Sequence, residues 1–155
     1  KYVNETLGIA ARVASAEHVR LEEDWGTGSM DAVTMWFVIE HFQKLGTVLT
    51  RCASLLRRGG VLAFSTPNAN GISARSDFRE FCRRSPEDHF SLWEPRRTAS
   101  VLKAYGFKLR AIRVTGHHPE RFSFVHRAGL AQTLAAGISH AFGLGDTFEV
   151  YAERV

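Results

Sequence analysis

Cysteine is nearly absent from this chain: Cys52 and Cys82 are the only two in 155 residues. Two are too few for a disulfide framework, and their separation matches no metal-binding pattern, which fits a reducing compartment such as the cytoplasm. Long apolar runs are missing too, so no segment reads as a membrane span, which needs about eighteen or more uninterrupted apolar residues. The first residues, Lys1-Tyr2-Val3-Asn4-Glu5, hold neither an initiator Met nor a signal-peptide pattern, as in a chain cut from something longer. No internal repeat, low-complexity tract or Pro/Gly/Ser linker divides the sequence. What is present is 45% hydrophobic and 11% aromatic residues, enough to build one real core and to exclude global disorder.

The net charge of +4 hides an asymmetry. Residues 1–50 carry four Lys/Arg against seven Asp/Glu, whereas residues 51–155 carry sixteen against nine. A basic half of this kind raises the possibility of an anionic or nucleic-acid ligand. Its arginines are dispersed, however, as in Arg51, Arg57, Arg58, Arg75, Arg79, Arg83, Arg84, Arg96 and Arg97, without a zinc-finger spacing, RNP-like strand or Lys-rich tail. Solvated helix faces account for such a distribution, which argues against a nucleic-acid partner.

The order of patterns predicts an α/β domain. Residues 1–7 read as the end of a helix closed by Gly8, Ile9–Ala14 as a short buried strand, and Ser15-Ala16-Glu17-His18 as a serine-capped turn. Asp31–Val38 is almost continuously apolar, the signature of a strand covered on both faces. A helix is expected from about Glu40 to Arg58, with Leu45, Val48, Leu49, Cys52, Leu55 and Leu56 on one face and Gly59-Gly60 as its stop. Val61–Thr66 is the next strand, ended by Pro67-Asn68. The polar stretch Ala69–Phe90, with one short helix near 77–83, is long enough to be functional. Pro95 opens a further helix before Gly106, Phe107–Thr115 alternates as a strand, Phe124–Phe142 reads as an amphipathic helix, and Thr147–Val155 as a last strand. Alternating strands and helices imply a sheet with helices on both faces.

Ligands of open parallel sheets collect at the carboxyl ends of the strands, here Ala14–Glu17, Met35-Trp36-Phe37 and Ser65-Thr66-Pro67-Asn68. The segments Met30–His41 and Leu55–Asn68, followed by Pro86-Glu87-Asp88-His89-Phe90, Glu94-Pro95 and Gly106-Phe107, resemble class I S-adenosylmethionine-dependent methyltransferases. The nearest group is the ubiquinone-biosynthesis-type O-methyltransferases. The resemblance implies a partial Rossmann-like fold, with sheet order third, second, first, fourth, fifth, seventh, sixth and an antiparallel C-terminal strand. It also implies methyl transfer from S-adenosylmethionine to a small-molecule acceptor at oxygen. The family's glycine-rich loop and ribose-binding acid are not found, so the sequence is expected to start after the second family strand and to be inactive by itself. A non-catalytic interaction module of the same fold is the first alternative, and an anion- or nucleic-acid-binding domain using the basic half is the second.

On that resemblance Ser15, Ala16 and Glu17 meet the adenine ring, and Met35 and Trp36 form the wall beside the cofactor. Asn68 and Arg75 lie on the substrate side, where Arg75, Arg79, Arg83 and Arg84 lean toward an anionic acceptor. Phe37 replaces a polar residue common in the family. His89, in the long loop, is the candidate base for deprotonating an acceptor hydroxyl, and His41 is a second titratable candidate or a brace for the loop after Thr66. Glu40, at the expected helix start, suits the dipole. The pair His117-His118 invites a metal reading, but adjacent histidines do not share one tetrahedral ion easily, so no metal is expected. Cys52 reads as core filler and Cys82, among arginines, as a loop thiol. Deleting two strands from the family sheet would bare an edge of Asp31–Val38, so self-association is expected of this chain.

Overall fold

The computed structural model describes residues 2–18, 20–118 and 130–155. In chain order it contains α1 (Tyr2–Glu5), α2 (Leu21–Trp25), β1 (Met30–Trp36), a 3-10 turn (Ile39–His41), α3 (Leu45–Leu55), β2 (Leu56–Pro67), α4 (Ile72–Ser76), α5 (Phe78–Arg84), α6 (Pro95–Ala104), β3 (Phe107–Thr115), α7 (Leu130–Phe142) and β4 (Thr147–Arg154). The sheet order is β1-β2-β4-β3. β1 and β2 are parallel, while β4 runs antiparallel to both β2 and β3.

Period-two alternation sends Val33 and Met35 of β1, Leu62 and Phe64 of β2, and Phe148, Val150 and Ala152 of β4 to one face. There they pack with Val48, Leu49 and Cys52 of α3, Leu102 of α6 and Trp93. Phe64 and Trp93 meet with ring centroids 5.0 Å apart. Fully burying a side chain such as Phe64, Leu49 or Leu102 contributes about 1.5–3 kcal/mol. α6 begins as expected with Pro95 in its first turn, and Gly106 at φ 80° reverses the chain into β3. Arg154 ties the end of β4 down, donating to the carbonyls of Ala53 and Gly106 at 3.0 Å each.

Three expectations are corrected. Ile9–Ala14 is not a strand: Ile9 and Val13 stand in solvent, and no strand among the described residues pairs with the segment. β1 is not covered on both faces. Its other face, Ala32, Thr34 and Trp36, is exposed, because the apolar run records a surface that the described helices leave open. The helix expected over 40–58 is split. Ile39–His41 is a separate 3-10 turn, α3 stops at Leu55, and Leu56 already pairs with Met30. Between the pairs Met30/Leu56 and Ala32/Val61, residues 57–60 bulge out of the ladder, with Gly59 at φ 78°. Arg57 therefore pairs with Asp31 at 2.7 Å instead of closing a helix dipole.

The helix expected over 124–142 is found as α7 from Leu130; residues 124–129 lie outside the described residues. No described helix is long and apolar enough to cross a membrane.

Candidate functional site

The parallel pair β1 and β2 ends side by side, with Trp36 opposite Ser65. The chain leaves β1 abruptly. Phe37 takes φ 53°, a left-handed conformation rare for an aromatic residue, and its N–H bonds the Ser65 carbonyl and hydroxyl, each at 3.1 Å. The 3-10 turn follows, and it buries Ile39 and Glu40 almost completely. The Glu40 carbonyl accepts from Phe90 N–H at 2.9 Å and Ser91 N–H at 3.2 Å, which draws the long loop back over the end of β1.

That pairing brings His89 against His41, with ring centroids 4.6 Å apart and planes edge to face at 85°. An Asp88 carboxylate oxygen lies 3.0 Å from His41 Nδ1, an ion-pair distance without hydrogen-bond alignment. The Glu40 side chain is buried beside them, and its Oε2 has no hydrogen-bond partner. One ligand atom each from Glu40, His41 and His89 fall within 4.8 Å of one another, so the three can hold a single divalent cation. His41, expected as a brace for the loop after Thr66, faces Asp88 and His89 near the far end of that loop, at ion-pair and ring-contact distance. Glu40 is not at an exposed helix start but inside the fold.

His89 also lines a cavity of about 550 Å³ that opens beyond β2, between Pro67, α4, α5 and the loop. Phe81, Pro67 and Pro86 give it apolar walls, and Asp77, Glu80 and Arg84 its charge. Arg83 and Arg84 both bond Glu80, at 2.7 and 2.5 Å, and hold its partly buried carboxyl down at about 2. Of the arginines expected to favour an anionic acceptor, Arg83 and Arg84 are thus engaged, and Arg75 Nε donates to the Asn70 carbonyl at 2.9 Å. Pairing extends over the basic half, as in Arg97 with Glu94 and Arg110 with Glu153.

Asn68 is fully buried. Its Nδ2 donates to the Gly145 carbonyl at 2.7 Å, and its Oδ1 accepts from Asn70 N–H at 2.9 Å. Its amide braces the loop after β2 and leaves little for an acceptor. The Ser15–Glu17 turn is fixed to α3: the Ala16 carbonyl accepts from Arg51, and the Glu17 carboxylate from the Lys44 N–H. Ser15 Oγ accepts from Glu17 N–H at 3.3 Å. Met35 is buried in the core, whereas Trp36 stands half-exposed at the strand end. The fold joins His41 to His89 and sets Trp36 at the end of β1. The adenine-side turn, however, is held through α3.

The residues that sequence reasoning passed over are Asp77, Glu80, Asp88 and Asp146. Asp77 and Glu80 had a readable signal: Asp77 caps α5, accepting from Glu80 N–H at 2.9 Å, in the spacing of a capping box. Asp88 and Asp146 are placed only by tertiary contacts.

A family model described as a methyltransferase domain matches residues 7–112. The chain belongs to the methyltransferase domain family. Two curated relatives are the ubiquinone biosynthesis O-methyltransferases of Burkholderia orbicola and Xanthomonas oryzae pv. oryzae. The first is 26% identical over 119 residues, covering 73% of this chain and 50% of that protein. The second is 36% identical over 66 residues, covering 43% and 26%. This methyltransferase-family chain spans about half the length, or less, of the curated relatives it matches. Among solved structures it resembles an S-adenosylmethionine-dependent methyltransferase from Thermotoga maritima, described as a possible histamine N-methyltransferase. The TM-score is 0.64 at 13% identity, over 92% of this chain and 62% of that one. A putative methyltransferase from Bacillus halodurans gives 0.57 at 13%, over 94% and 75%. At such identities the likeness is one of fold. The sheet agrees with it, for β1-β2-β4-β3 is the fourth, fifth, seventh and sixth strand of the family order.

Proposed function

We propose that this chain is the C-terminal, acceptor-side portion of an S-adenosylmethionine-dependent methyltransferase that acts on a hydroxyl of a small molecule. The observation that carries the reading is His89, set against His41 at the wall of the 550 Å³ cavity beside the strand ends. Bound S-adenosylmethionine would supply an electrophilic methyl group, so the residues need only align the acceptor and receive its proton. His89 takes the hydroxyl proton as the oxygen attacks. His41 and Asp88 stand behind it to orient the ring and stabilise the imidazolium. Trp36 and the Ser15–Glu17 turn would flank the adenine side, and Met35 backs that wall from the core. In the intact enzyme, His89→Ala should lower turnover by about 10²–10⁴-fold while S-adenosylmethionine affinity changes little. An unchanged rate at saturating substrates would leave His89 a purely structural role.

The cofactor site within this sequence is one-sided, since it has no glycine-rich loop and Glu17 already accepts from Lys44. Calorimetric titration of the 155-residue chain with S-adenosylhomocysteine should give weak binding or none; a dissociation constant in the low micromolar range would overturn this. Repeating the assays on the intact enzyme with a chelator tests the other use of the site. Loss of activity restored by a divalent cation would assign Glu40, His41 and His89 to a metal. The same reading includes self-association of this chain through the open edge of β1.

A further inference from the structure

A carboxylate taken out of water needs donors or a cation to answer its charge. Glu40 is only 1% exposed, yet its Oε2 accepts no hydrogen bond among the described residues. His41 Nδ1 is likewise buried without a hydrogen bond, and it faces an Asp88 carboxylate oxygen at 3.0 Å. Two carboxylates and two imidazoles therefore converge where the turn after β1 meets the loop, and each of them offers a lone pair. A bound positive charge satisfies all of them at once.

The donor set chooses the class of cation. Two imidazoles and one carboxylate suit a borderline ion such as Zn²⁺, whereas Mg²⁺ and Ca²⁺ take shells of oxygen. Ligand atoms of Glu40, His41 and His89 fall within 4.8 Å of one another, and a tetrahedral zinc ion needs them about 3.4 Å apart. Drawing them in takes a shift of about 1.4 Å at most, which falls to His89 on its loop, since Glu40 is packed into the fold. The Asp88 carboxylate stands next to His41 as a fourth ligand. The place of the ion matters as well. His89 lines the 550 Å³ cavity but Glu40 and His41 do not, so an ion shared by the three sits behind the cavity wall.

We propose that Glu40, His41 and His89 form a zinc-class site that switches the base off when it fills. A neutral imidazole has one lone pair. Lent to an ion behind the wall, that pair is no longer there for a hydroxyl proton, and His89 turns only an N–H toward the cavity. Metal and acceptor proton thus compete for one nitrogen. The switch rests on His89 being the base, as proposed above; the binding of the ion does not.

Calorimetric titration of the metal-stripped 155-residue chain with Zn²⁺ reads the binding without any chemistry. Saturable binding is expected, with the ring signals of His41 and His89 shifting in the nuclear magnetic resonance spectrum, while Mg²⁺ gives neither heat nor shift. Glu40→Gln, which keeps the shape of the side chain, should weaken Zn²⁺ at least about tenfold. No binding, binding that leaves both rings unmoved, or equal affinity in Glu40→Gln would overturn the site. In the intact enzyme Zn²⁺ should lower kcat and leave the KM for S-adenosylmethionine unchanged, and a chelator should restore the rate. Glu40→Gln should need at least about tenfold more Zn²⁺ for half-inhibition, whatever its own rate. Turnover that rises with Zn²⁺ would overturn the switch. An unchanged rate in His89→Ala would remove the base reading and the switch with it, while the isotherm still decides the site.

Discussion

Cys52 and Cys82 show one residue type under two regimes. Cys52 lies in α3 against the core, 5% exposed, and burial pushes its thiol up to about 11. Cys82 is exposed on α5. Because the thiolate is the reacting species, a disulfide reagent at about pH 8 should modify one cysteine quickly and the second only on unfolding. Two fast equivalents would contradict the packing of α3. Cys52 was legible from its place on an apolar helix face. Glu40 was not, because the spacing of Glu40-His41 fits a helix start equally well. Only the backbone bonds from Phe90 and Ser91 to Glu40 reveal that the turn is swallowed by the loop, and the same bonds carry His89 to His41 across 48 positions of sequence. No local pattern encodes a contact of that range.

At the scale of elements, the junction after β1 holds a strained residue. A positive φ costs an L-residue about 1–2 kcal/mol, and Phe37 offsets little of it by packing, since its side chain is half-exposed. Phe37→Gly should therefore raise unfolding stability by about 1 kcal/mol, read from the midpoint of a urea transition at unchanged slope. A loss of stability would mean that the ring makes contacts worth more than the strain. Elements with self-contained signals were read correctly. α6 announced itself by Pro95, Leu102 and Gly106, β3 by its alternation, and β2 by Val61–Thr66 before Pro67. The errors fell where tertiary pairing overrides propensity. Leu56–Gly60 reads as a helix end with basic residues and glycines, yet Met30 captures Leu56 into the sheet and Asp31 captures Arg57. Ile9–Ala14 has the composition of a strand but no described strand beside it to complete one.

At the scale of the whole molecule, β1 is an edge strand whose outer N–H and C=O groups have no strand partner among the described residues. Beside it stand Trp36, Phe37 and Val38, all more than 40% exposed. Such an edge is a template for pairing with another chain. Light scattering over a dilution series should show the 17.3 kDa chain passing to a dimer or larger species as concentration rises. A monodisperse monomer at high concentration would sink the idea. The opposite end of the sheet has a kinetic character of its own. β4 lies between β2 and β3, which do not pair with each other, so the ladder closes only when segments as remote as Val61 and Glu153 have met. The search for that encounter spans most of the chain, whereas β3 and β4 are much nearer neighbours in sequence. Assembly should accordingly begin with the β3–β4 ribbon and wait for β2. The wait falls in the millisecond-to-second range typical of non-local pairing, with the β1–β2 surfaces uncovered until it ends.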